Sequence, residues 1–513
     1  MAARMVKGTN NPDTMGGESR KHGASHACPF SQETHCHYMN FKHILPAFMG
    51  LTMLATPQHT DAHSRRVTQT YAGTTFKIRV CLADKKGNGY SINHPEKFLS
   101  TKAIARRQRY GLKVDQYDLP LTERYVNELR KLGLTEHTRS KWTNSVVMET
   151  GDTTVMNVVR KLPFVTDVRC VWIQPQKTSG TEEEDEESSL PTDRHLIKQA
   201  TKGDTLAGYY GQAQRQVEML GVDKLHAAGY TGSGVTIAVI DGGFYNADLI
   251  HDLPHEHILS TRNFVRDRSI YDEQSHGMMV LSCIGARRPH ALVGTAPDAS
   301  FHLMVSEDGD SEQLVEEDNW CAAVERADSL GCDMVTSSLG YAEFDHPNMT
   351  HTYRELDGHT AINSRVASLS ASRGMVLLNS AGNSGWGPWK KIGFPADAKD
   401  ILAVGAVDST GLNTPFSSIG NAADNRIKPD VMAMGEKSAV FDVDGQVETA
   451  NGTSFSCPIL CGAVACLIQA YPKLPPTTIM NAVRQAGNNA AHPDNIFGYG
   501  IPDMMKAFES LKK

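Results

Sequence analysis

Asn451-Gly452-Thr453-Ser454-Phe455-Ser456-Cys457-Pro458 leads directly into the apolar run 459–470. A serine stands behind a glycine and at the head of a helix-compatible segment. Gly452 allows a turn closed to residues that carry a Cβ. The segment reads as the first turn of a buried helix, whose orphan N–H groups favour negative charge beside Ser454. That suits a nucleophile whose attack creates an oxyanion. The same residues also fit an N-capping serine on an ordinary core helix, and the stretch alone leaves both readings open.

Three further stretches bear on the choice. Val235-Thr236-Ile237-Ala238-Val239-Ile240 is an unbroken run rich in β-branched residues and reads as a buried parallel strand. It ends at Asp241-Gly242-Gly243, and a carboxylate at the C-terminal end of such a strand lies where open α/β sheets place their sites. Ser275-His276-Gly277 opens residues 278–286, a candidate buried helix. Val376-Leu377-Leu378-Asn379-Ser380-Ala381-Gly382-Asn383-Ser384-Gly385 is an apolar strand running into a glycine-rich turn. The Asn383 amide there can meet a carbonyl oxygen as it becomes anionic. The chain order Asp, His, Ser is one that such triads use.

In these four stretches the chain resembles the subtilisin-like serine peptidases, the subtilases. The resemblance extends to Ser338-Leu339-Gly340, Phe394-Pro395-Ala396, Ala403-Val404-Gly405-Ala406-Val407-Asp408 and Phe416-Ser417-Ser418-Ile419-Gly420, and spans residues 205–508. It implies a serine endopeptidase acting on protein or peptide substrates through an acyl-enzyme. Carried over motif by motif, Asp241 is the orienting carboxylate, His276 the general base, Ser454 the nucleophile and Asn383 the oxyanion donor. Ser338, Leu339 and Gly340 would pair with the substrate backbone as an added strand. Ser380, Ala381 and Gly382 would form the other wall of the S1 pocket, with its base from residues 386–395. Met278-Met279 stand where the family usually has Thr-His, Gly242 where it has Thr or Ser, and Phe455-Ser456-Cys457 where it has Met-Ala-Ser or similar. These departures bear on specificity and thiol sensitivity and leave the catalytic atoms intact. The competing reading is a catalytically silent subtilase-like protein that binds peptides. An esterase on another serine-hydrolase fold would want a Gly-x-Ser-x-Gly elbow and the order Ser, acid, His.

Beyond the motifs, 513 residues that are 40% hydrophobic and 21% charged, with a net charge of −7, suit a soluble globular protein of two or more domains. The mild acidity, and the lack of a basic patch interleaved with aromatics, argue against nucleic acid as a partner. Residues 1–38 are polar and lack periodicity, and read as a disordered or spurious extension. Cys28, His35, Cys36 and His37 are not followed by the second ligand pair that zinc spacing requires. Met39-Asn40-Phe41-Lys42-His43, the apolar residues 44–55 and then residues 56–62 read as a secretory signal. Its apolar part is short for a bilayer span. Residues 39–62 are therefore expected to direct export, to a secreted or cell-envelope location, without stable membrane insertion.

Residues 70–175 read as a small α+β unit, with strands at 75–82, 145–149 and 164–173 and helices at 95–111, 121–132 and 152–162. Subtilase precursors carry an α+β inhibitory prosegment in this position, so the resemblance implies an intramolecular inhibitor. An accessory domain that stays attached is the other reading. Residues 176–204 hold an acidic run, Glu182 to Glu187, and read as a solvated linker. From 205 to 513 strands at 300–305, 332–337 and 374–378 alternate with helices at 313–330 and 360–371, and helices at 475–486 and 502–511 close the chain. This alternation gives an α/β fold, a mostly parallel sheet with helices on both faces.

The ten cysteines do not read as a disulfide framework. Cys283, Cys457, Cys461 and Cys466 fall on predicted buried helices and read as thiols. Cys81 with Cys170, and Cys321 with Cys332, are the pairings left open for an exported protein. The chemistry requires no cofactor and the sequence offers no metal site. Subtilases often bind structural calcium, but no acidic loop here has the corresponding ligand spacing.

Overall fold

The computed structural model describes residues 74–175 and 208–512. The expected extension at 1–38, export signal at 39–62 and linker at 176–204 lie outside the described residues.

The first described unit is a four-stranded antiparallel sheet. It is built from β1 (Phe76–Leu82), β2 (Thr135–Ser140), β3 (Ser145–Thr150) and β4 (Val165–Ile173), in the order β2-β3-β1-β4, with helices α1 (Thr101–Arg109), α2 (Glu123–Lys131) and α3 (Val155–Val159). Side chains along β1 alternate between two faces. Ile78, Val80 and Leu82 pack with Val146, Met148 and Val168 around Val126 and Leu129 of α2. Val147 and Val171 face the other way and join Trp142 in a second core. β2 escaped the sequence reading because Thr135-Glu136-His137-Thr138-Arg139-Ser140 has no apolar alternation. The predicted helix at 95–111 is a single 3-10 turn, Pro95–Lys97, followed by α1. Ser100 starts α1 afresh, its hydroxyl accepting the Ala103 N–H at 3.1 Å. The register of β1 on β4 sets Cys81 opposite Asp167 and Cys170 opposite Ile78, so these two cysteines do not pair. Cys321 and Cys332 are likewise free thiols.

The larger unit opens with α4 (Gln214–Met219), α5 (Val222–Ala227), β5 (Thr236–Asp241), β6 (Ile258–Asn263) and α6 (His276–Gly285). A small hairpin, β7 (Arg287–Arg288) and β8 (Leu292–Val293), precedes β9 (Ser300–Val305), α7 (Val315–Leu330), β10 (Met334–Ser337), α8 (Ile362–Ser370) and β11 (Val376–Ser380). Then come β12 (Leu402–Val407), β13 (Val431–Met434), the hairpin β14 (Ser438–Phe441) and β15 (Val447–Ala450), α9 (Thr453–Ala470), α10 (Pro476–Gln485) and α11 (Met504–Ser510). Seven strands make one parallel sheet in the order β13-β12-β11-β10-β5-β9-β6. β5 shows why its sequence reads as an unbroken apolar run. Ile237 and Val239 enter the core shared with α6 and α9, while Ala238 and Ile240 enter the core shared with α7 and α8. The sequence reading finds no stretch beyond residues 39–62 that is long and apolar enough for a membrane span, whereas α9 has that length and apolarity. It is the core helix of this sheet, with 89% of its residues buried in the fold.

The two units meet on α7, across a face that carries charge. Arg79 donates to both oxygens of Asp318 at 2.7 and 2.6 Å, and both residues are buried. One turn pair along, Glu325 accepts the backbone N–H groups of Lys141 at 2.7 Å and Trp142 at 3.0 Å, and the Ser140 hydroxyl. Farther down, Asp328 receives Arg106 and Arg107 of α1. Breaking a buried pair from one side leaves an unpaired buried charge, at a cost of about 3–5 kcal/mol. Arg79→Ala should therefore lower the thermal midpoint of the uncut chain, and Arg79→Leu combined with Asp318→Leu should recover most of the loss. Calorimetry on the two variants checks this. Equal losses in both would show that the Asp318 charge is not what the single change exposes.

Candidate active site

Three parallel strands and two helix N-termini converge at one edge of the sheet. β5 ends at Asp241, β10 runs into Ser338-Leu339-Gly340, and β11 runs into Ala381-Gly382-Asn383. α6 begins at His276, and Ser454 is the second residue of α9. Asp241 has no exposure. Its Oδ1 accepts the Gly242 N–H at 2.8 Å and faces His276 Nδ1 at 2.7 Å, while Oδ2 has no partner among the described residues. With Nδ1 donating to Asp241, the neutral imidazole keeps its lone pair on Nε2. Burial disfavours the imidazolium, but the Asp241 charge and hydrogen bond outweigh it and hold the His276 pKa above 6.5.

Gly277 makes the close approach of α6 to β5 feasible. A Cβ there would lie 2.4 Å from the Gly243 carbonyl oxygen and 2.8 Å from Asp241 Cβ. Gly452, just before α9, sits at φ 151°, in the region that favours glycine. A Cβ there would come within 3.4 Å of the Asn383 amide nitrogen.

The Asn383 side chain is oriented by the start of α9. Its Oδ1 accepts from Thr453 N at 2.9 Å and from Thr453 Oγ1 at 3.0 Å, which leaves Nδ2 as the free donor end. The Thr453 hydroxyl in turn accepts the Gly382 N–H at 3.1 Å. Ser454 is 8% exposed, so its hydroxyl sits at the floor of the site rather than in open solvent. Its Oγ donates to the Ser338 carbonyl at 3.4 Å, and the Ser338 hydroxyl donates to the Ser454 carbonyl at 2.8 Å. No hydrogen bond joins Ser454 Oγ to His276 among the described residues. The ring of Phe455, the next residue, lies 5.8 Å from the imidazole between centroids. In this structure the Ser454 hydroxyl faces the Ser338 carbonyl and not His276. Sites without a bound substrate often hold such contacts loosely.

The two walls expected from sequence are joined by residues 392–394. Gly393 N–H donates to Ala381 O at 3.2 Å, and Phe394 and Tyr341 exchange both backbone hydrogen bonds at 2.9 Å. Trp389 is buried with Nε1 on the Ile392 carbonyl at 3.0 Å, whereas Trp386 stands out 62% exposed. The sequence reading missed two residues that position the walls. One is Thr453, described above. The other is Asn379, fully buried in β11, whose Nδ2 donates to Leu339 O at 2.9 Å. A polar residue inside the run Val376-Leu377-Leu378 was the available signal.

The reading also missed Glu307, Glu312 and Glu316, whose carboxylate oxygens lie within 4.8 Å of one another. Tyr341 donates its hydroxyl to Glu307, and Glu316 accepts two backbone N–H groups, from Asp308 at 2.8 Å and Gln313 at 2.9 Å. Burial pushes the Glu312 carboxyl up to about 7, with Asp345 adding to it, and drives Glu307 and Glu316 well above the usual range. Their spacing is one that could hold a cation, a feature the sequence analysis did not identify.

Residues 232–500 match the Subtilase family, and residues 77–188 match the peptidase S8 propeptide domain of Bacteroidota. Subtilisin DY of Bacillus licheniformis is 29% identical over 280 residues, 53% of this chain and 90% of that protein. Subtilisin NAT of Bacillus subtilis subsp. natto is 30% identical over 304 residues, 58% of this chain and 71% of that protein. Among solved structures, MycP1 with its N-terminal propeptide removed is 22% identical, with a TM-score of 0.46 over 57% of this chain and 96% of that one. The family match over residues 232–500 makes this chain a serine hydrolase on an α/β fold. The chain is a member of the subtilase family, a serine-type endopeptidase that carries a propeptide domain.

The Gly277 contact gives a test of how the site is held. Gly277→Ala must push α6 away from β5, because two of the atoms it meets are backbone oxygen and the Cβ of Asp241. A displacement on the order of 1 Å can cost about 10²-fold in rate. The expected result is a fall in kcat of that size with a smaller change in KM, measured on purified mature enzyme. Wild-type kcat would show that the helix can shift without moving His276.

Proposed function

We propose that Asp241, His276 and Ser454 act as the catalytic triad, with Asn383 as oxyanion donor, in an exported endopeptidase that processes its own precursor. The observation that carries this is the 2.7 Å contact of Asp241 Oδ1 with His276 Nδ1, set beside an α9 N-terminus that orients the Asn383 amide. In this reading Ser454 Oγ turns from Ser338 O to His276 Nε2, gives up its proton and attacks the peptide carbonyl. Asp241 holds the tautomer and stabilises the imidazolium without taking the proton. Asn383 Nδ2 and the Ser454 backbone N–H receive the oxyanion. The imidazolium then protonates the leaving amine, and water releases the acyl group by the reverse route. Ser338–Gly340 pairs with the substrate main chain, and Ser380–Gly382 forms the opposing wall.

Residues 70–175 are assigned as the prosegment, 176–204 as the linker that is cut, and 205–513 as the peptidase. Residues 39–62 are assigned as the export signal, 1–38 lying outside the functional product. Burial pushes the thiol of Cys457, one turn beyond Ser454, up to about 12, so it is no substitute nucleophile. Ser454→Ala should accumulate as the uncut chain, while Cys457→Ala should mature like wild type. Intact mass and N-terminal sequencing of the exported product read both outcomes. Processing of Ser454→Ala at the wild-type rate, in a host without other proteases, would overturn self-cleavage. Intact chain confined to the cytosol of its native cell would overturn export.

The pH profile tests the His276 assignment separately. A general base works only when neutral, and Asp241 favours its charged form. The acid limb of kcat/KM should therefore lie above pH 6.5, with activity lost as pH falls through it. Asp241→Asn should move that limb downward and lower kcat by about 10⁴-fold. A limb unmoved by Asp241→Asn would remove Asp241 from the mechanism.

A further inference from the structure

Gln313 lies in the loop between β9 and α7 and is 1% exposed. Its side-chain amide meets a single residue of the prosegment from both ends. Oε1 accepts the Ile173 N–H at 2.8 Å, and Nε2 donates to the Ile173 carbonyl at 2.9 Å. This is how an antiparallel strand would pair with that residue, but here one side chain does it. The position has a clear reason to be paired. β4 is an edge strand, bonded to β1 on one side only, and Ile173 is its last residue. The loop is braced for the task. Both oxygens of Glu316 are engaged, one by Asp308 N and the other by Gln313 N, and Gln313 Nε2 also reaches Ser311 Oγ at 3.3 Å.

Gln174, the next residue, is still tied to the sheet, its N–H donating to Thr75 O at 2.9 Å. The bond after it, Gln174–Pro175, is an imide whose nitrogen carries no hydrogen. A cut in the linker therefore falls beyond Pro175, and Ile173 is at least the third residue upstream of it. We propose that Gln313 is a main-chain clamp that sets the register of the strand entering the active site. It acts first on the prosegment and then on substrates that extend far enough to reach it. Because it reads only N–H and C=O, it selects for extended, accessible polypeptide rather than for any side chain. This rests on the reading that the chain cuts its own linker.

Two peptides from the chain's own sequence test the clamp, one copying residues 168–207 and the other residues 175–207. The mature enzyme should cleave the longer with kcat/KM higher by on the order of tenfold, roughly the worth of one net amide hydrogen bond. Gln313→Ala should collapse that ratio towards one and slow self-cleavage of the full-length precursor by a similar factor. N-methylation of the longer peptide at Ile173 removes the N–H without altering the enzyme, and should also collapse the ratio. That arm holds even if Gln313→Ala folds poorly. A ratio near one for the wild type, or one that survives N-methylation, overturns the clamp. Failure of the underlying reading looks different: neither peptide is cut, and Ser454→Ala precursor is processed normally.

Discussion

A carboxylate with no exposure at the end of a parallel strand has to be held by donors, because an isolated buried charge is expensive. Asp241 finds two, the Gly242 N–H and His276 Nδ1. The rest of the site is arranged around that requirement. His276 can supply its donor only if α6 starts on top of β5, and Gly277 is what lets it. Because β10 and β11 lie successively beside β5 in the parallel sheet, their C-terminal ends open on the same edge. α9 crosses beneath them and brings Ser454 and Thr453 to that edge. The fold thus gathers the site by placing strand ends and helix starts together, which is the general location of sites in open α/β sheets.

The prosegment is held by a different balance. α7 turns Asp318, Glu325 and Asp328 toward it and receives Arg79, the 140–142 turn, Arg106 and Arg107 in return. Buried ion pairs contribute register more than net affinity, since desolvation offsets much of the attraction. Trp142, Val147 and Val171 supply the apolar part of the contact. An interface built this way can be left at modest cost. Once the cover is gone, the carboxylates of α7 gain water, whereas an apolar face of equal size would stay sticky.

The sequence made several elements buried on both faces legible, though not β12 or β13, and hid those with a polar role. β5 and β9 fall within a residue of their expected limits, because a parallel strand covered by helices reads as a continuous apolar run. β2 and the edge strand β6, Ile258-Leu259-Ser260-Thr261-Arg262-Asn263, carry no such run. The residues proposed for chemistry were found through short motifs whose geometry is local. Thr453, Asn379 and Gln313 act across 40 or more positions in sequence, and even where a quoted motif contains them, as with Thr453 and Asn379, nothing in the motif names the distant partner. The acidic trio shows the same limit from another side, since Glu307, Glu312 and Glu316 are spaced like surface residues and only the turn into α7 brings them together.

The edge of β4 ties these points together. An unpaired strand edge is a template for further pairing, and among the described residues this one is met by side chains. Arg160 donates to the Val168 carbonyl, Gln313 holds Ile173, and Arg169 of the same strand reaches out to the Asn348 carbonyl. A full strand from the peptidase would add a ladder of cooperative bonds and fuse the two sheets. Single side-chain contacts give alignment without that commitment, and each can be lost singly. The chain leaving β4 is therefore aligned by single side-chain contacts and not by a strand ladder, an arrangement consistent with the proposed cutting of the segment that follows.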